Sequence, residues 1–179
     1  MRKLFVTVLL LVVGFTTQAQ EELTWHTDIK KAIEISNKEQ KPMFLFFTGS
    51  DWCGWCIRLQ NEVFRTPEFT KWAKEKVVLV ELDYPRKMPQ RDEIKSQNAM
   101  MQQVFQVQGY PTVWMVKPNI VDGKQNFEQL GKTGYVAGGP VTWIDGANKI
   151  LANYVPDAKP EVAVKKTTTK SKKTTKKNA

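Results

Sequence analysis

Histidine and cysteine are scarce in this chain, which has one histidine, His26, and two cysteines, Cys53 and Cys56, among 179 residues. A structural zinc site takes four protein ligands and a catalytic one three plus water. With so few soft ligands no metal is expected. Long apolar runs are also missing. The run from Leu4 to Phe15 falls short of the roughly 20 residues that span a bilayer as a helix. There is no internal repeat, which excludes a solenoid. Excess charge in the body is lacking too, although the formal net charge is +9. From Pro156 onward eight lysines face Asp157 and Glu161, giving +6, and Arg2 and Lys3 add +2, which leaves +1 for the rest. No nucleic-acid partner is expected. The only partner the basic end suggests is weak contact with an anionic surface.

The two ends do not read as parts of a fold. "MRKLFVTVLLLVVGFTTQAQ" places a basic pair before a short apolar run and a small-residue site, Thr17-Gln18-Ala19, the order of a cleavable secretory signal over residues 1–19. No cysteine stands at that site for lipid attachment. Export to the periplasm or beyond is therefore expected, where disulfides persist. Residues 156–179, rich in Lys and Thr with hardly a large apolar side chain, are expected to stay disordered because they bury too little to offset ordering. Residues 20–155 make one domain. A domain of this size buries about two-thirds of its unfolded surface and needs no disulfide to hold a core.

Within the body, "HTDIKKAIEISNKEQKP" predicts a helix with Thr27 as cap and Ile29, Ala32, Ile33 and Ser36 on one face, stopped by Pro42. "MFLFF" is a continuous apolar run suited to a strand covered on both sides. Helical spacing follows from Ile57 to Arg65, and "TPEF" restarts a helix with Thr66 as cap and Pro67 at its first position. "VVLVEL" is a second strand, interrupted by Glu81. "DYPRKMPQR" is a Pro-rich basic loop. Asp92 to Phe105 is a helix through Ile94, Met101, Val104 and Phe105, with Met100 and Met101 as core filler. "TVWMV" and "NFEQL" form a hairpin around Asp122-Gly123. A last helix carries Val141, Ile144, Ile150 and Leu151. The order implies an α/β sandwich.

The cysteines lie in "FTGSDWCGWCIRLQNEVF", where a strand end feeds a helix start. Open α/β sheets place their chemistry there, and the helix amino terminus favours an anion such as a thiolate. Ser50 and Asp51 are candidate caps, although Asp51 would also repel a thiolate. Cys56, Leu59 and Val63 share a row that faces the core, so Cys53 should face outward. A static disulfide remains possible, but it closes a very small loop and would restrict the unfolded chain least. Redox exchange is the preferred reading, with one thiol attacking and the other resolving.

"DWCGWC" after an apolar strand, followed by "VQGYPTVWMV", resembles the thioredoxin superfamily, and more narrowly its exported thioredoxin-like members with a "KP-strand-FTGSDWCGWC" core. The likeness covers most of residues 25 to 155. It implies the thioredoxin fold, a central mixed sheet flanked by helices. It also implies Cys53 as nucleophile, Cys56 as resolving thiol, and Pro111 as a cis-proline opposite a redox-active disulfide, with no cofactor besides that disulfide. Trp52, Gly54, Trp55, Tyr110 and Pro111 would then meet the substrate, the Tyr110 backbone offering an edge to an extended peptide. Trp52 is read more as packing and Trp55 as surface. The partners implied are proteins carrying disulfides or thiols and an electron-donating redox protein. Two departures stand out. Trp55 replaces thioredoxin's proline, leaving the redox poise open, and Phe46 or Phe47 replaces its buried strand aspartate. Glu81 is the substitute proton relay, or else an acid facing solvent. The activity implied is a protein-disulfide oxidoreductase working as a reductase; the alternatives are an oxidase or isomerase, or a binding module with a permanent disulfide.

Overall fold

The computed structural model describes residues 22–157, so the signal reading and the tail beyond Asp157 lie outside the described residues. The elements run α1 (Ile29–Glu39), β1 (Met43–Thr48), α2 (Gly54–Leu59) continued by a π-helical turn (Gln60–Phe64), α3 (Pro67–Lys76), β2 (Val78–Asp83), α4 (Asp92–Val104), β3 (Thr112–Val121), β4 (Lys124–Thr133) and α5 (Gly139–Leu151). The sheet order is β2-β1-β3-β4. β1 runs parallel to β2 and antiparallel to β3, and β3 pairs antiparallel with β4. This is the mixed α/β sheet expected.

The apolar run of β1 is continuous because helices cover both faces of the sheet. Phe44 and Phe46 join the cluster under α2, α3 and α5, while Met43, Leu45 and Phe47 join the one under α1 and α4. The first cluster is mostly aromatic. Phe64 lies 4.6 Å from Phe69 and 5.1 Å from Phe46, ring centroid to centroid, and Phe44 sits 5.8 Å from Trp143. Such pairs contribute about 0.5–1.5 kcal/mol each beyond their burial. The π turn adds a residue to the helical repeat, and both Val63 and Phe64 end up buried beneath the cysteine helix.

Several sequence expectations shift. Asp28, not Thr27, caps α1, its carboxylate accepting from Lys30 N and Lys31 N. The helix starts at Ile29, so Asp28 immediately precedes it and its carboxylate reaches the free amides, leaving Thr27 one residue outside. Met100 and Val104 are exposed, while Met101 and Phe105 are buried. Val141 is exposed as well, and α5 instead buries Trp143 and Ala147. The hairpin is longer than the apolar pattern suggested. β3 continues through Pro118, past Val116, its last pairing with β1, and one side is then open, which tolerates the missing proline donor. Asp122 and Gly123 both take positive φ, 51° and 72°, as a two-residue hairpin turn requires. At the carboxy end, Asp157 is tied to Lys117 by an ion pair of 2.6 Å, so the first residues of the expected disordered tail are held.

Candidate active site

The site grows out of the end of β1. The Gly49 carbonyl accepts from Trp52 N at 3.2 Å and Cys53 N at 2.8 Å, which turns the chain into α2. A Cβ on Gly49 would stand 2.4 Å from Cε2 of Trp52, so only glycine lets the indole lie against this turn. Cys53 is itself the N-cap of α2, its Sγ accepting from Cys56 N at 3.2 Å. Cys53 and Cys56 are joined in a disulfide, S–S 2.09 Å, with their Cα atoms 5.2 Å apart.

Two expectations about this turn are corrected. Cys53 does not face freely outward: it is 6% exposed against 0% for Cys56. The disulfide draws its sulfur inward as the cap, and Trp52 and Tyr110 pack against the same cluster. Cys53 remains the outer of the two. Ser50 and Asp51 do not cap α2 either. Ser50 bonds the Asp83 carboxylate through its N and Oγ, at 2.8 and 2.6 Å. Asp51 turns to the loop after β2 and accepts from the backbone of Arg86, Lys87 and Met88. These donors, Arg86 first, hold its carboxyl below the usual range, and its charge is spent away from the sulfur.

Aromatic side chains frame the disulfide. Trp52 donates Nε1–H to Tyr84 O at 2.8 Å and meets Tyr110 edge-on at 5.6 Å, which makes it packing. Trp55 is 56% exposed, next to the exposed Gly54, and leans on Tyr135 at 5.1 Å. The Tyr110-Pro111 peptide bond is cis, and Tyr110 joins Trp52 beside the cysteine turn. Burial pushes the Tyr84 and Tyr110 hydroxyls up, so both stay neutral. A family profile described as thioredoxin-like matches residues 24–118. The chain belongs to the thioredoxin-like family.

Similarity extends beyond the profile. The chain is 32% identical over 133 residues to "Disulfide bond reductase DsbH" of Chlamydia pneumoniae, covering 74% of this chain and 75% of that protein. The solved structure titled "DsbH Oxidoreductase" superimposes with a TM-score of 0.65 at 31% identity, over 74% of this chain and 86% of that one. A thioredoxin from Thermus thermophilus matches at TM-score 0.53 and 14% identity, over 73% and 88%, which is a likeness of fold alone.

In this thioredoxin-like chain Glu81 lies inside β2, opposite Phe46 in parallel register, and so on the sheet face that carries the cysteines. Its half-buried carboxylate lines a cavity of about 230 Å³ with Trp25, Phe46, Gln60, Phe64 and Arg65. Burial, and then the Asp83 charge, push its pKa up. Two groups of site residues escaped the sequence reading. One is the clamp of Asp51 on the basic loop. The other is Glu62, which accepts from Arg58 Nε at 2.7 Å and Tyr135 OH at 2.6 Å and so fixes the residues beside Trp55. The i,i+4 spacing of Arg58 and Glu62 was a usable signal for that pair. Nothing local in sequence pointed Asp51 at a loop 35 residues away.

Proposed function

We propose that the chain is an exported thiol–disulfide oxidoreductase that reduces protein disulfides. The observation that carries this reading is a disulfide at the start of α2, with exposed Trp55 inside its turn and Tyr110, which opens the cis Tyr110-Pro111 bond, packed on Trp52 next to Cys53. The disulfide is the oxidised end of the cycle. In the reduced protein the Cys53 thiolate, facing the Cys56 N–H, attacks one sulfur of a client disulfide. A mixed disulfide forms and the client's other sulfur leaves as a thiolate, which takes a proton. The Cys56 thiol gives up its proton, for which Glu81 is the proposed acceptor. Its thiolate attacks the Cys53 sulfur, releasing the client's second thiolate and closing Cys53–Cys56. Two electrons have moved to the client, and an electron-donating protein must return two. The cycle uses no cofactor besides the disulfide. Trp52, Gly54, Trp55, Tyr110 and Pro111 form the proposed client surface, with the Tyr110 backbone as an edge for an extended segment.

The leader pattern of residues 1–19 supports export to the periplasm, and the lysines of residues 156–179 support contact with anionic surfaces. The relative named a disulfide bond reductase supports the direction. Equilibration against glutathione tests it: a potential nearer about −270 mV than about −120 mV is expected, and the reverse would make the protein an oxidase. Cys56→Ser should trap client proteins as mixed disulfides, because no thiol remains to release them. A variant that forms no adducts would end the redox reading.

The slight exposure of Cys53 favours one alternative, a binding module with a permanent disulfide. Mild reduction followed by alkylation separates the two: rapid labelling of Cys53 before Cys56 supports the enzyme. Labelling of neither until denaturation supports the module.

A further inference from the structure

The loop from Tyr84 to Arg91 is exposed at its tip yet held at many points. Asp51 accepts from Arg86 N at 3.0 Å, Lys87 N at 2.6 Å and Met88 N at 3.0 Å. Trp52 Nε1 holds Tyr84 O, Tyr84 OH donates to Asn98 O at 2.6 Å, and Gln90 Nε2 donates to Asp83 O at 3.0 Å. These bonds tie the loop to the cysteine turn on one side and to α4 on the other.

The clamp also fixes where charge stands. The Arg86 guanidinium lies 3.7 Å above the Trp52 ring, one residue from Cys53. Arg86, Lys87 and Arg91 are exposed, and among the described residues no carboxylate pairs with their side chains. The Asp51 carboxylate accepts from the backbone amides of the loop and not from these side chains. The opposite flank differs, because Arg58, stacked on Trp55 at 5.3 Å, is bonded to Glu62. Basic side chains without an ion-pair partner therefore stand on one side of the disulfide, on a backbone already ordered. Docking a partner there costs little further loop entropy, and fixed charge beside a reacting atom steers encounter and register.

We infer that the Tyr84–Arg91 loop is a docking site for an acidic segment of the client polypeptide, next to the client cysteine that Cys53 attacks. This inference rests on the oxidoreductase reading. Arg86, held over the Trp52 ring, offers its guanidinium to a carboxylate, and Lys87 and Arg91 add exposed basic side chains on the same loop. The client is thereby set in one direction across the Tyr110-Pro111 edge.

The test uses the reduced full chain in single turnover with two synthetic peptides. Each carries the same internal disulfide, followed by four glutamates in one and four lysines in the other. At low ionic strength the acidic peptide should react about tenfold faster, at the low end of electrostatic steering. The ratio should fall toward one near 1 M salt, where the screening length is about 3 Å. In a Lys87→Glu/Arg91→Glu variant, which leaves the Trp52 stack and the Asp51 clamp in place, the preference should vanish or invert. Arg86→Glu is a second, independent reversal. Equal rates for the two peptides in the parent protein overturn the inference, as does a variant that slows both alike and keeps the ratio. If neither peptide oxidises the protein, the oxidoreductase reading itself fails and takes the docking site with it.

Discussion

Glu81 shows how far a single residue could be read. Its position in "VVLVEL" marked it as an acid inside an apolar strand, and the pattern left two faces open. Parallel register decides, because Glu81 is opposite Phe46 and Phe46 packs with the cysteines. Its pKa is raised by burial and then by Asp83, so the fold binds this proton more tightly than the unfolded chain does. Stability therefore falls as pH rises from the ordinary carboxyl range through the raised folded value. Glu81→Gln removes that loss. The variant should unfold at a higher temperature than the parent at neutral pH and show a flatter pH profile of Tm. If Glu81 also takes the Cys56 proton, the same variant should resolve mixed disulfides up to about a hundredfold more slowly, the lower end for a positioned acid–base group. Stopped-flow release of client measures this. Greater stability with an unchanged resolution rate would leave Glu81 a buried acid and no relay. The cysteine pair was legible by contrast because its spacing is local: Cys56, Leu59 and Val63 fall on one buried row from helical geometry alone. The near-burial of Cys53 was not legible, since Tyr110, which packs on Trp52 beside it, arrives from a segment more than fifty residues on.

Among the elements, the loop after β2 carries the lesson. Proline and basic residues announced a loop in "DYPRKMPQR", but composition says nothing of what holds one. The holder, Asp51, sits on another element, where sequence logic gave it a cap that Cys53 in fact supplies. The Asp51 pKa is lowered, first by the Arg86 amide, so its clamp is present above the ordinary carboxyl range and lost as pH falls through the depressed folded value. Asp51→Asn keeps one acceptor oxygen, removes the charge and should loosen the turn even at neutral pH. Limited trypsin digestion should cut the variant after Arg86, Lys87 or Arg91 several times faster than the parent, with no comparable change elsewhere. Equal cleavage rates would mean that Tyr84, Gln90 and Asn98 hold the loop without Asp51. The helices divide in the same way. Thr66 and Pro67 at the start of α3 were readable because a cap is local chemistry. On α5, Ile144, Ile150 and Leu151 pack against the core as expected; Val141 alone was misplaced, because it fits the helical period as well as Trp143 does and only the ring cluster beneath selects Trp143.

For the molecule as a whole, the question is whether the disulfide or the core keeps the fold. Cys53 and Cys56 are three residues apart, and in the chain-entropy account closing so short a loop restrains the unfolded chain by only about 2 kcal/mol. The aromatic cluster outweighs this at single positions. Phe44 is fully buried among Trp25, Phe64, Phe69, Trp72 and Trp143, and a Phe→Ala change in such a core costs about 3–5 kcal/mol. Denaturant unfolding of oxidised and reduced protein should therefore show a gap smaller than the loss from Phe44→Ala, and that loss should be alike in both redox forms. The comparison bears on function. A stability gap between the two forms is linked to the reduction potential, about 1.4 kcal/mol for each 30 mV, so a small gap leaves the bond free to open and close without endangering the fold. A gap well above the Phe44→Ala cost would make the disulfide the main support of the structure, and a bond in that role is poorly suited to turnover.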